Sequence, residues 1–340
     1  MAELRAGLIG LGMMGRHHAR VLRSLDGVRL VAVADAAGDQ HGAAPGLEVG
    51  RTVDHLLATG VDYAVVALPT TLHVEVGLAL AEAGVHALIE KPLAETGASA
   101  RRLAAAFADR GLIGAVGHIE RFNPALRSLR ARLEQGQLGE VYQVSTRRQG
   151  PFPARIADVG VVKDLATHDI DLTAWVTQAP YERVAAQVAH KSGRAHEDLV
   201  AFVGQLRGGI VATHLVNWLS PLKERSTVVT GELGTLVADT LTADLTYFAN
   251  GTAVTTWESL VGFRGMTEGD VVRYALGKRE PLLVEHEAFR DAVLGLSSDI
   301  VTLDEGVATV EVAEAVLESA ATGRTVPLDG AEPRPAVGRD

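Results

Sequence analysis

The chain has 340 residues, too many for one ordinary core, and 47% are hydrophobic, enough to fill two. Its formal net charge of −10 repels phosphate backbones, so no nucleic-acid partner is expected. No apolar run reaches membrane-span length, the chain opens into a strand pattern rather than a basic leader, and cysteine is absent; a cytoplasmic protein off the membrane, without disulfides or thiolate metal sites, is expected.

Apolar runs at 6–10, 30–35, 63–68, 87–90 and 113–117 alternate with helical patterns at 15–25, 71–83 and 97–108. Runs that are apolar nearly throughout suit strands buried on both faces of a parallel sheet. Their alternation with helices predicts an α/β, doubly wound domain over 1–119. From residue 139 the texture changes. A strand pattern at 141–147 and a helix around 164–177 lead into alternating segments at 184–190, 197–205, 209–218, 224–231, 234–239 and 244–248. Strands in succession predict an α+β domain over 120–329, with one mixed, largely antiparallel sheet. Helices at 284–294 and 304–322 close it. Residues 330–340, poor in apolar side chains, read as a loose tail.

The strongest local signal is Gly10-Leu11-Gly12-Met13-Met14-Gly15, between the first strand and the first helix, with Asp35 ending the next strand. This is the context of a Rossmann dinucleotide fingerprint. Gly10 permits the tight turn, Gly12 a close approach to pyrophosphate, and Gly15 close helix packing. Amides of the opening helix, including those of Met13 and Met14, face the phosphates. Asp35 can accept both ribose hydroxyls of NAD and would repel a 2′-phosphate. Ala36 and Ala37 follow it, with no adjacent arginine, so NAD is expected rather than NADP. His17 and His18, inside the first helix, receive no role.

Glu90-Lys91-Pro92 ends a predicted strand on the ligand side of such a sheet, and proline is the residue before which a cis bond is tolerated. Further on, Asp164, His168 and Asp171 share one face of a predicted helix. Alone, Asp164 reads as a cap and His168 as a packed side chain. Taken together, these stretches resemble the glucose-fructose oxidoreductase/inositol dehydrogenase family. Leu68-Pro69-Thr70-Thr71-Leu72-His73 is similar to that family's loop near the nicotinamide. The resemblance covers nearly the whole chain. It implies Lys91, Asp164 and His168 as catalytic residues, with Leu68, Pro69, Thr70, His73, Glu90 and Lys91 beside the cofactor. It further implies an open-faced second sheet and a homo-oligomer, dimer or tetramer. The chemistry implied is hydride transfer from a carbinol carbon to NAD. His168 accepts the hydroxyl proton, Lys91 hydrogen-bonds the same oxygen, and Asp164 orients the pair. No metal is required.

Longer stretches narrow the substrate. Residues 116–124, 148–160 and 217–221 resemble the branch acting on UDP-N-acetylglucosamine at C3, which makes a nucleotide sugar the first expectation. Arg121, Arg148, Arg155, Lys223 and Arg225 are the cations available to a diphosphate. The global charge suits another branch better, the one acting on cationic aminoglycoside intermediates before transamination. An inositol or polyol dehydrogenase and a non-catalytic NAD- and sugar-binding regulator are the remaining alternatives. In each case the partner is a small-molecule sugar or polyol.

Overall fold

The computed structural model describes residues 3–152, 159–251 and 267–328. Strands β1 (Leu4–Ile9), β2 (Val28–Ala34), β3 (Val49–Gly50), β4 (Tyr63–Val66), β5 (His86–Glu90) and β6 (Gly114–Gly117) form a parallel sheet in the order β3-β2-β1-β4-β5-β6. The order reverses between β1 and β4, so the crevice beyond their C-terminal ends is where such a sheet binds ligands. Helices α1 (Met13–Ser24), α2 (Val53–Thr59), α3 (Thr70–Glu82), α4 (Gly97–Ala108) and α7 (Pro281–Val293) accompany it. Leu80, Leu103 and Phe107 pack with Ile89 in one core, and Ala19, Leu22 and Phe289 with Leu8 and Leu88 in another. Two cores on one sheet explain why its strands read as unbroken apolar runs.

The chain divides differently from the single boundary near residue 119 expected from the sequence. The first unit takes Met1–Pro124 and also Gly277–Glu311, so α7 returns to the first sheet. Amphipathic spacing shows that a helix must cover something; it does not say which sheet.

In the second unit nine strands form one sheet: β7 (Val141–Pro151), β8 (Tyr181–Ala189), β9 (Leu199–Leu206), β10 (Val211–Asn217), β11 (Leu219–Gly231), β12 (Gly234–Asp239), β13 (Asp244–Gly251), β14 (Thr267–Tyr274) and β15 (Val326–Pro327). Their order is β14-β13-β12-β11-β7-β10-β9-β8-β15, with only the β7–β10 pair parallel. One face is covered: Val144, Val200, Phe202, Ala212, Val216, Val229 and Leu236 are buried, whereas Val203 and Val211 on alternate positions are exposed. The sheet is thus open-faced, as expected. Helices α5 (Pro124–Glu134) and α6 (Thr167–Thr177) and the later part of α8 (Leu303–Thr322) supply the covering side chains. Helix α5 was not among the expected elements, although Ala125, Leu126, Leu129 and Leu133 stand at helical spacing after a helix-starting proline. Helix α2 and strand β14 were also unexpected. Among the described residues no helix is long and apolar enough to cross a membrane.

Candidate active site

The glycine loop after β1 is built by close contacts. Gly10 has φ +94°, and a Cβ on it would lie 2.4 Å from the Ala67 carbonyl oxygen; a Cβ on Gly15 would lie 1.9 Å from that of Gly10. Only glycine lets α1 sit this close to the loop. At Gly12 a Cβ would meet nothing within 4 Å, so the backbone there faces open space. Helix α1 begins with no side-chain cap and no acidic residue in its first turn, which leaves its N–H groups and positive dipole available to an anion. The Asp35 carboxylate lies against the same loop. Its Oδ2 accepts from the Leu11 amide at 2.7 Å, and Oδ1 from the Ala37 amide at 2.7 Å. These residues fit a dinucleotide: amides for phosphate, an acid for ribose. One reading needs amendment. No arginine adjoins Asp35 in sequence, but Arg51 Nη1 donates to the Ala36 carbonyl at 2.7 Å. The fold brings a cation to the backbone that follows the acid.

Across the crevice, Leu68 and Pro69 lead into α3, which starts at Thr70. His73 is fully buried, with Nε2 2.9 Å from the Leu68 carbonyl oxygen and Nδ1 2.9 Å from that of Pro92. It ties the loop after β4 to the segment after β5. Burial lowers its pKa against the pull of those carbonyls; the neutral ring donates to only one of the two, and it sits between two backbones rather than at the surface. The Lys91–Pro92 bond is cis. Lys91 is half-buried at the C-terminal end of β5, and Glu90 turns inward. Glu90 Oε1 contacts His18 Nε2 at 3.0 Å, and Oε2 accepts from the Lys91 amide at 3.1 Å. Burial would raise the Glu90 pKa; the His18 hydrogen bond, with the charge of Lys91, outweighs it and holds the carboxyl below its ordinary value.

In the second unit Asp164 is buried and His168 half-buried. The expected helix over 164–177 is not regular. A π-helical turn, Val162–Ala166, precedes α6, and the Thr167 amide reaches back to the Val162 carbonyl. Such wide turns recur at functional sites. Asp164 lies in this turn, His168 at the start of α6.

Of the five cations assigned to a diphosphate, four lie among the described residues. Arg148 Nε donates to Asp169 Oδ2 at 2.8 Å, with side chains 3% and 2% exposed. Arg121 Nη1 donates to Glu305 Oε1 at 2.6 Å, its own side chain 7% exposed. Both are buried in ion pairs within their own units. Lys223 is exposed and Arg225 half-buried, both on β11. Arg155 lies outside the described residues, as does the tail from 330.

Two family models match the chain. Residues 4–118 match the oxidoreductase family with an NAD-binding Rossmann fold, and residues 126–237 the GFO/IDH/MocA C-terminal domain. The chain belongs to the GFO/IDH/MocA oxidoreductase family. It is 34% identical over 216 residues to UDP-N-acetylglucosamine 3-dehydrogenase of Acidithiobacillus ferrooxidans, covering 62% of this chain and 66% of that one, just under two thirds of its length. It is 30% identical over 349 residues to inositol 2-dehydrogenase 2 of Saccharopolyspora erythraea, covering 98% of each. The crystal structure of GenD2 from gentamicin A biosynthesis in complex with NAD superposes with TM-score 0.81 at 26% identity, over 97% of each chain. NAD is therefore the cofactor of a dehydrogenase fold, and the first unit is its NAD-binding domain.

Within this GFO/IDH/MocA chain the sequence reading missed His18, Glu285 and His286. His18 Nδ1 lies 2.8 Å from His286 Nε2, and all three residues are buried. His18 had a usable signal: three residues after Gly15 it points from α1 onto the sheet, with Ala19 and Leu22. Glu285 and His286 gave none, because they stand nearly two hundred residues from Glu90.

Proposed function

We propose that this protein oxidises a secondary hydroxyl of a sugar or cyclitol ring to a ketone, at C3 where the ring is a hexose or aminohexose. The observation that carries the reading is Lys91, at the C-terminal end of β5 in the same sheet whose β1 and β2 ends carry the glycine loop and Asp35. NAD, when bound, supplies the hydride acceptor. Lys91 hydrogen-bonds the reacting oxygen and stabilises its developing negative charge. His168 accepts the hydroxyl proton, and Asp164 supports the charge that then forms on the imidazole.

The group attached to the ring is the finer question. Arg121 and Arg148 are paired with Glu305 and Asp169. With a net charge of −10, that favours a neutral or cationic ring, such as a cyclitol or an aminoglycoside intermediate. The second reading, a nucleotide sugar, draws on the 34% identity to a UDP-N-acetylglucosamine 3-dehydrogenase and leaves the diphosphate to Arg155, Lys223 and Arg225. The test is a turnover screen following reduced nicotinamide with myo-inositol, an aminoglycoside intermediate and UDP-N-acetylglucosamine. Preferred oxidation of either of the first two supports the proposal, and preference for the UDP-sugar establishes the second reading. Silence with all three overturns both substrate readings, and silence with every sugar and polyol favours a regulator. We also infer a dimer or tetramer formed through the open sheet face, where Val203 and Val211 stand exposed.

A further inference from the structure

Four ionisable side chains lie buried together in the first unit, behind the end of β5: His18 from α1, Glu90 from β5, and Glu285 and His286 from α7. The roles given to Lys91, Asp164 and His168 leave them unused. Desolvating this many polar groups is costly unless they satisfy one another or act on something.

Their hydrogen bonds run in one direction. A carboxylate only accepts, so His18 Nε2, 3.0 Å from Glu90 Oε1, carries the proton. His18 Nδ1 and His286 Nε2, 2.8 Å apart, must share one proton. Burial holds His286 well below its ordinary pKa, so its ring is neutral with a single proton. Among the described residues His286 Nδ1 has no hydrogen-bond partner. With the proton on Nε2, only a lone pair is unmatched there, which costs less than a stranded N–H. His286 therefore donates to His18, His18 donates to Glu90, and Glu90 Oε2 accepts from the Lys91 amide at 3.1 Å.

Glu285 adds no second charge. Among the described residues neither of its carboxyl oxygens has a hydrogen-bond partner, and burial, then the charge of Glu90, raise its pKa well above the ordinary value. It is held protonated. The groups facing the Glu90 carboxylate are thus His18 from α1, His73 from α3, Lys91 beside it and Glu285 from α7. Gly117 on β6 leaves room for it, since a Cβ there would lie 3.2 Å from Glu90 Cδ.

We propose that His286 and His18 are positioning residues for the reaction, a hydrogen-bonded line that fixes the Glu90 carboxylate and, through it, the backbone of Lys91. The inference rests on the reading that Lys91 meets the reacting hydroxyl. It makes α7, remote in sequence, part of what places that lysine.

Two measurements on the full chain test it. Heteronuclear NMR of nitrogen-labelled histidine should show His286 protonated at Nε2 and bare at Nδ1; the opposite tautomer would overturn the direction of the line. Steady-state kinetics use NAD with whichever compound of the screen is oxidised. His286→Leu should lower kcat about 10- to 100-fold, the scale of a misplaced catalytic group, with little change in KM for NAD. His286→Gln, whose amide still donates to His18, should recover most of that loss. Full kcat in His286→Leu, or equal impairment of both variants at equal thermal stability, overturns the proposal. Lys91→Ala separates the two readings. If it keeps full turnover, the role of the lysine fails, while the NMR result still decides the line itself.

Discussion

At the nucleotide end of the first unit, the groups that face outward are backbone amides and one acid, held by Gly10 and Gly15, which tolerate no side chain. On the covered face of the second sheet, the cation expected to face a substrate turns inward, with Arg148 buried against Asp169. The difference follows from what each kind of group costs. An amide at a helix N-terminus is already half of a binding site and needs only open space before it. A guanidinium taken out of water is stable only with a partner, and the nearest carboxylate takes it. A motif built from backbone therefore transfers from sequence to function more safely than a set of charged side chains.

Five substitutions test that contrast. The largest effect is expected at Lys91. Lys91→Ala should depress turnover about 10²- to 10⁴-fold while NAD binding, measured by calorimetry, persists. Loss of NAD binding instead would mean that the lysine belongs to the cofactor site alone. Next comes Arg148→Ala. It removes the buried guanidinium paired with Asp169, so urea denaturation should show a loss of about 3–5 kcal/mol. Unchanged stability with a raised KM would return Arg148 to the substrate.

Asp35→Ser should narrow the preference for NAD over NADP by about tenfold, roughly 1.4 kcal/mol, because the acid no longer opposes a 2′-phosphate. Arg51 sharpens the point: combining Asp35→Ser with Arg51→Ala should forfeit part of the NADP gain, and no difference between the two variants would leave Arg51 a loop contact only. The smallest effect is Glu285→Gln. The folded pKa of Glu285 is raised, so its contribution is fully present below the unfolded carboxyl value and lost as pH rises through the folded one. Glutamine mimics the protonated acid without that loss. The variant should match the native protein in melting temperature near pH 4 (roughly the unfolded value) and exceed it increasingly towards neutrality. A constant difference at every pH would show that Glu285 is not held protonated.

The sequence by itself determined the parallel sheet, the glycine loop, Asp35 at the end of β2 and the single-faced alternation of the second sheet. Each of these is a local pattern, set by steric and burial rules that act over a few residues. Tertiary structure decided what depends on distant partners. It returned α7 to the first unit, brought Arg51 to the Ala36 carbonyl, buried Arg121 and Arg148 in ion pairs, and joined His18, Glu90 and His286. Helical spacing shows that α7 has a buried face, but not that His286 on that face meets a histidine 268 residues away. Burial makes a lone imidazole or guanidinium costly enough to require a partner, and only the folded chain determines which partner is near.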